Sequence, residues 1–238
     1  MDYIVLISAV IIGAGIAYFF QNNSKFSKRL LMFSAGLLLA ITVLDMFPLL
    51  FQSGETNAGI WIIIGVGTQL LLEGLSKGIE HGHLHSSNDH THNVIPLSVM
   101  LGLFIHSFLE GTPLEVHHHH MHTHEVHEPH LHSSNILWAL SIHKVSETIV
   151  LSTFLFSLNI KKIFAVSILI LFAVSAPIGA FFGSFLAPNV YPKILGIVAG
   201  IFLHISSVII FESNEKHSLD WQKLLLVFSG MFLGFLIS

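Results

Sequence analysis

The sequence predicts an all-α polytopic membrane protein with eight transmembrane helices. Composition is the first observation behind this: of 238 residues, 53% are hydrophobic and 10% charged, against about 25% charged in an average soluble domain. The mean hydropathy is +0.75. The second observation is spacing. The apolar residues fall into eight runs near the roughly 20 residues that cross a bilayer, and the charges cluster between them. A short internal repeat is the third.

The first run, 3–20, has no basic n-region and no small-residue cleavage site, so it reads as a retained helix rather than a signal peptide. The second, 29–51, closes on Leu44-Asp45-Met46-Phe47-Pro48. The third, 58–77, carries Gly65, Gly67 and Glu73, and the first carries Gly13 and Gly15. These glycines read as places where helices approach closely. The fourth, 94–112, is the least regular, with Pro96, Gly111 and Pro113 at its ends, and the fifth covers 135–157. The sixth, 162–186, reads as interrupted at Pro177-Ile178-Gly179; 192–211 and 221–237 follow.

Basic residues set the expected orientation. Lys25, Lys28 and Arg29 fall in the first connection, Lys77 in the third, Lys161 and Lys162 in the fifth, and Lys216 and Lys223 at the seventh. The even connections offer only Lys193. The odd connections are therefore expected in the cytoplasm, with both termini outside and the plasma membrane as the location. Ala35-Gly36-Leu37-Leu38-Leu39-Ala40-Ile41-Thr42 aligns with Ala199-Gly200-Ile201-Phe202-Leu203-His204-Ile205-Ser206, and the same offset relates Phe47 to Phe211. The second and seventh runs point in opposite directions. Runs one to three and six to eight therefore read as an inverted repeat flanking the central pair, an arrangement associated with alternating access. The whole chain, 1–238, reads as a single transmembrane transporter domain.

Other classes are excluded by composition. With no Cys there is no disulfide, thiolate site or thiol redox pair. A net charge of −4 gives no basic surface for nucleic acid. The anomaly is 18 His. Many lie in two connections, 78–93 on the expected cytoplasmic side and 114–134 on the expected outer side. Neither shows hydrophobic periodicity, and both read as loops that gather imidazole-binding metals, weakly and in several arrangements.

The chemistry concentrates in runs four and five. His106 precedes Glu110 by four residues, and His143 precedes Glu147 by four. On a helix each pair stacks on one face, one turn apart. Ionisable side chains at mid-membrane depth each cost about 2–3 kcal/mol on insertion scales. Four of them at matched spacing point to a shared ion. Two imidazoles and two carboxylates suit a divalent transition metal, Zn2+ first, with Fe2+, Mn2+ and Cd2+ as further candidates. The chain is expected to move the ion and not to be an enzyme. An intramembrane zinc hydrolase or a metal sensor without flux could use the same residues. Asp45 and Glu73 are isolated acids near helix ends. Asp45 reads as a cation-recruiting group at the outer mouth or as an acid snorkelling into the headgroups, and Met46 as a soft outer ligand or core filler. Glu73 reads as an exit-path group or a helix contact. His204 reads as a lining group of the inner path or as a hydrogen bond across helices. Ser146 and Ser175 read as hydrogen-bonded to the backbone.

With His106-Ser107-x-x-Glu110-Gly111, His143-Lys144-x-x-Glu147, the Asp45-Met46-Phe47-Pro48 ending, Pro177-x-Gly179 and Ala199-Gly200-x-x-Leu203-His204, the chain resembles the ZIP (Zrt/Irt-like) family of metal-ion transporters, with an ending of the second helix similar to the ZIP I branch. The resemblance implies that His106, Glu110, His143 and Glu147 form the main transport site. It places Ser107 and Lys144 at second-site positions, often Asn and an acid in relatives, and Ala176 where a further carboxylate would stand. A fixed ammonium near the cluster, with one carboxylate missing, leaves a second metal under-compensated. One metal per site is therefore expected, with Lys144 pairing Glu110 or Glu147 when no metal is bound. The resemblance also implies uptake toward the cytoplasm, an elevator-like rigid-body motion and a homodimer.

Overall fold

The computed structural model describes residues 2–19, 24–76, 97–120, 130–158, 160–212 and 221–238, and no strand occurs among them. The helices are α1 (Asp2–Phe19), α2 (Ser24–Ile41), a π-helical turn (Thr42–Met46), α3 (Phe47–Gln52), α4 (Ala58–Ser76), α5 (Leu97–His120), α6 (His130–Ser157), α7 (Lys162–Gly183), α8 (Tyr191–Glu212) and α9 (Trp221–Ile237). Because α2, the π turn and α3 form one continuous rod, each of the eight apolar runs corresponds to one rod. Among the described residues, five stretches are long and apolar enough to cross a membrane: Phe26–Gln52, Ala58–Leu75, Asn135–Phe156, Lys162–Gly183 and Tyr191–Phe211. Tyr3–Phe19 and Trp221–Ile237 are apolar but shorter. These helices leave many large apolar side chains outside, among them Ile63, Ile163 and Phe235, as suits a lipid-facing surface.

The rods pair closely as α5 with α7, α2 with α9, α4 with α8 and α1 with α6. The four pairs close into a ring: α2 packs on both α6 and α8, α4 on α5, and α1 on α7. Two contacts fix which helix starts share an end. Arg29 Nη2 donates to Gln222 Oε1 at 3.1 Å, joining the starts of α2 and α9. The Lys193 ammonium lies 5.6 Å from the Trp61 ring centroid, joining the starts of α8 and α4.

Apolar helices surrounded by lipid gain nothing by burying apolar surface against one another, so close backbone approach decides their pairing. The α5–α7 seam shows this. A Cβ on Gly111 would run into the Ala176 carbonyl, and one on Gly179 into the Phe108 carbonyl. Small residues on each helix thus admit the other's backbone. Of the four glycines read as helix contacts in the sequence, Gly13 faces Thr148 and Gly65 faces the Ile197 backbone, whereas Gly15 and Gly67 have open space beside them.

Two expectations change, and one feature is new. α7 runs unbroken through Pro177, because proline removes one N–H and neighbouring helices hold the rod around it. The second His-rich connection is shorter than 114–134, since α5 continues to His120 and α6 begins at His130; polar sequence without apolar periodicity hid this continuation. Residues 121–129 and the whole of 78–93 lie outside the described residues. The new feature is the π turn. It holds one more residue than an α-helical turn would, and Thr42 Oγ1 at its start donates to the Leu38 carbonyl at 2.7 Å.

Candidate metal centre

α5 and α6 each present an imidazole and a carboxylate on one face. α7 is clamped to α5, while α1 and α2 pack on α6, and the two polar faces converge. One ligand atom from each of His106, Glu110, His143 and Glu147 lies within 4.8 Å of the others, and all four residues are buried. His106 Nε2 stands 3.1 Å from Glu110 Oε1 and 3.7 Å from Glu147 Oε1. His143 Nε2 stands 3.7 Å from the same Glu110 oxygen.

Lys144 completes the cluster. Its Nζ lies 2.5 Å from Glu110 Oε2 and donates a hydrogen bond to Glu147 Oε2 at 2.6 Å. The ammonium also lies 4.6 Å from the centroid of the Phe172 ring. Lys144 thus binds both carboxylates, where the sequence suggested one or the other. Each carboxylate is divided: Oε2 turns to the ammonium and Oε1 to the imidazoles. Among the described residues, Glu110 Oε1, Glu147 Oε1, His106 Nε2 and both ring nitrogens of His143 lack a hydrogen-bond partner. An unsatisfied buried polar atom costs about 1–3 kcal/mol. Converging lone pairs of this kind are relieved by a cation among them, and two imidazoles with two carboxylates fit a divalent transition metal.

Beside the cluster, Ser107 Oγ and Ser175 Oγ are 2.6 Å apart, and Ser175 also donates to the Phe172 carbonyl. Ser146 Oγ reaches the Ile142 carbonyl at 3.2 Å, so both serines do bond to backbone. Ala176 is buried and offers no ligand. The other singled-out residues do not join the cluster. Asp45 is buried in the π turn, and its Oδ2 accepts a hydrogen bond from Ser238 Oγ at 3.0 Å; this excludes snorkelling into headgroups. Met46 is fully buried and belongs to the same apolar core as Leu50 and Ala199. His204 Nε2 and Glu73 Oε2 meet at 2.9 Å across α8 and α4.

One polar residue at the centre escaped the sequence reading. Gln69 of α4 is fully buried, and its Oε1 lies 3.1 Å from His106 Nδ1. The available signal was an amide deep in an apolar run, one helical turn before Glu73.

A family model described as ZIP zinc transporter matches residues 73–238. The chain belongs to the ZIP zinc transporter family. The matched span contains α5 to α9 and therefore the whole His/Glu cluster. It begins inside α4, four residues after Gln69. Comparison with curated proteins finds no match. ZIP proteins carry divalent metal ions across membranes and are transporters rather than enzymes, and the apolar helices here accord with a multi-pass integral membrane protein. In this ZIP chain the four-residue group that could hold a metal ion is His106, Glu110, His143 and Glu147.

Proposed function

We propose that this ZIP chain takes up divalent transition-metal ions toward the cytoplasm, zinc foremost and Fe2+, Mn2+ or Cd2+ as further cargo, through His106, Glu110, His143 and Glu147. The observation that carries the reading is the convergence of four buried ligand atoms within 4.8 Å on two packed helices. Neutral imidazoles and carboxylate oxygens replace the hydration shell the ion leaves behind. Affinity must stay moderate so that the ion can depart.

One metal occupies the site at a time. Lys144 supplies fixed positive charge where a second ion would bind, and Ser107, Ser175 and Ala176 provide no carboxylate there. The outer approach runs by Asp45 and Met46. The inner leg runs along α4, where Gln69 and Glu73 are stacked one turn apart, toward His204. Eight spans with both termini outside, in the plasma membrane, form a single transporter domain, and the ending of the second rod is similar to the ZIP I branch.

For alternating access the ring of pairs divides into two groups of four, α1, α5, α6 and α7 against α2, α4, α8 and α9, along the seams where α2 packs on α6 and α4 on α5. The pairings support an inverted repeat: exchanging first for sixth, second for seventh, third for eighth and fourth for fifth rod turns the α2–α9 pair into α8–α4, and α1–α6 into α7–α5. Gly36 and Gly200, equivalent under that exchange, face the backbones of α9 and α4 respectively. The ligand-bearing α5 and α6 share a group with α1 and α7, which would move as a rigid body against the other four, and two chains would form the homodimer.

The test is zinc flux into proteoliposomes, wild type beside a His106→Ala plus His143→Ala variant. Saturable flux that vanishes in a folded variant supports the pathway. Zinc binding without flux under any gradient would favour a sensor or an intramembrane hydrolase and overturn transport.

A further inference from the structure

Neutral imidazole has one N–H and one lone pair, and only the lone pair can bind a metal. For His106 both nitrogens face acceptors, so a metal between the carboxylates decides which is which: Nε2 must then be bare, and the proton is carried on Nδ1. Nδ1 faces Gln69 Oε1 at 3.1 Å, an acceptor. Nε2 faces Glu110 Oε1 at 3.1 Å and Glu147 Oε1 at 3.7 Å, the two carboxylate oxygens that Lys144 does not occupy. We propose that Gln69 is a positioning residue for the metal site: it holds the proton of His106 on Nδ1 and so aims the Nε2 lone pair at the position between the carboxylates.

The location of Gln69 extends this role. It stands on α4, which packs on α5, and the proposed division for alternating access runs along that seam, with α4 in the group that does not carry the ligands. The hydrogen bond therefore crosses that seam. Gln69 and the pair of carboxylates approach His106 from opposite nitrogens, so the ring is fixed in rotation as well as in tautomer. A displacement of α5 along α4 breaks this bond before it disturbs any of the four ligands relative to one another, because the ligands all travel on α5 and α6. His106 is then a better ligand in the arrangement seen here than in one where α5 has slid. Gln69 thereby links the affinity of the site to the conformation of the protein. This inference rests on the metal-site reading above.

Partners of this kind, which hold a ligating imidazole by its other nitrogen, are typically worth about 10- to 100-fold in metal affinity. The experiment measures zinc affinity of purified full-length protein by competition with a chelating dye, for wild type, Gln69→Met, Gln69→Asn, Gln69→Glu and His106→Ala. Methionine keeps the length and apolar bulk but removes the acceptor. Asparagine withdraws it by one methylene and guards against a misfolded methionine variant. Glutamate keeps an acceptor oxygen and lacks an N–H. Zinc binding weakened about tenfold in Gln69→Met and Gln69→Asn, and held within about threefold of wild type in Gln69→Glu, is the expected pattern. Wild-type affinity in Gln69→Met would overturn the proposal. So would equal weakening in Gln69→Glu and Gln69→Met, which would mean that the amide N–H2 and not its oxygen faces the ring. His106→Ala separates the two levels: if it binds zinc as wild type does, the metal-site reading fails, whereas its loss of binding beside an unaffected Gln69→Met sinks the positioning role alone.

Discussion

Lys144 and Glu147 stand on the same face of α6 and are bonded there, Nζ donating to Oε2 at 2.6 Å, while the same ammonium reaches Glu110 on α5. Two carboxylates brought together in a buried place repel unless a cation lies between them. Lys144 is that cation for one oxygen of each, which leaves the opposite oxygens to the imidazoles.

Replacing Lys144 by methionine should therefore make the protein depend on metal for stability. Removing one partner of a buried ion pair costs about 3–5 kcal/mol, or roughly 10 °C of unfolding temperature for a chain of this size. Zinc should restore most of that loss through mass action. Thermal unfolding followed by tryptophan fluorescence, with and without a chelator, checks this. A Lys144→Met protein as stable as wild type with zinc withheld would show that the two carboxylates do not need the ammonium.

The α5–α7 seam makes a second claim. Gly179→Val would drive a branched side chain into the Phe108 backbone, so α5 must shift or α7 must bend. Overpacking of this kind costs about 1–3 kcal/mol. The variant should melt earlier and lose zinc flux, because His106 and Glu110 ride on α5. Gly15→Val, with open space beside it, is the matched control and should leave both properties close to wild type.

The Glu73–His204 pair is not part of the four-residue ligand group. His204→Phe should slow zinc flux several-fold while leaving equilibrium zinc affinity within about twofold, since it removes none of the four ligands. Paired measurements of flux and dye competition decide the matter. A large fall in affinity would make His204 part of the central site.

Donor chemistry gives a fourth expectation. Flux of radioactive zinc should be inhibited by excess Cd2+, Co2+ or Fe2+ and hardly by Mg2+ or Ca2+, because imidazole suits the former and oxygen-only ligation the latter. Inhibition by millimolar Mg2+ equal to that by Cd2+ would argue that the carboxylates act without the histidines.

Much of this was readable before any coordinates. The rods follow from runs of apolar residues, and the helix bounds differ from them by a few residues except at α5 and α6, where His-rich extensions carry no hydrophobic signal. The cluster was readable because spacing alone puts His106 over Glu110 and His143 over Glu147. Lys144 was readable only as a nearby cation, since its bond to both acids depends on how α5 and α6 are rotated. Gln69 and His106 are 37 residues apart, and no local pattern joins them; their meeting requires α4 to pack on α5. Asp45 had two readings in the sequence, and the π turn that buries it leaves no trace in residue type.

That turn also bears on how the two halves of the chain should be compared. An inserted residue advances everything after it by about 100° around the helix axis. Up to Thr42 the offset that equates α2 with α8 can hold in space as well as along the sequence. Beyond it, position-for-position equivalence lapses: Phe47 is half-buried, whereas Phe211, its counterpart by counting, is 76% exposed. Under the proposed inverted repeat, an alignment of the halves needs a one-residue gap within Thr42–Met46, and a substitution transferred without that gap lands about 100° away around the helix.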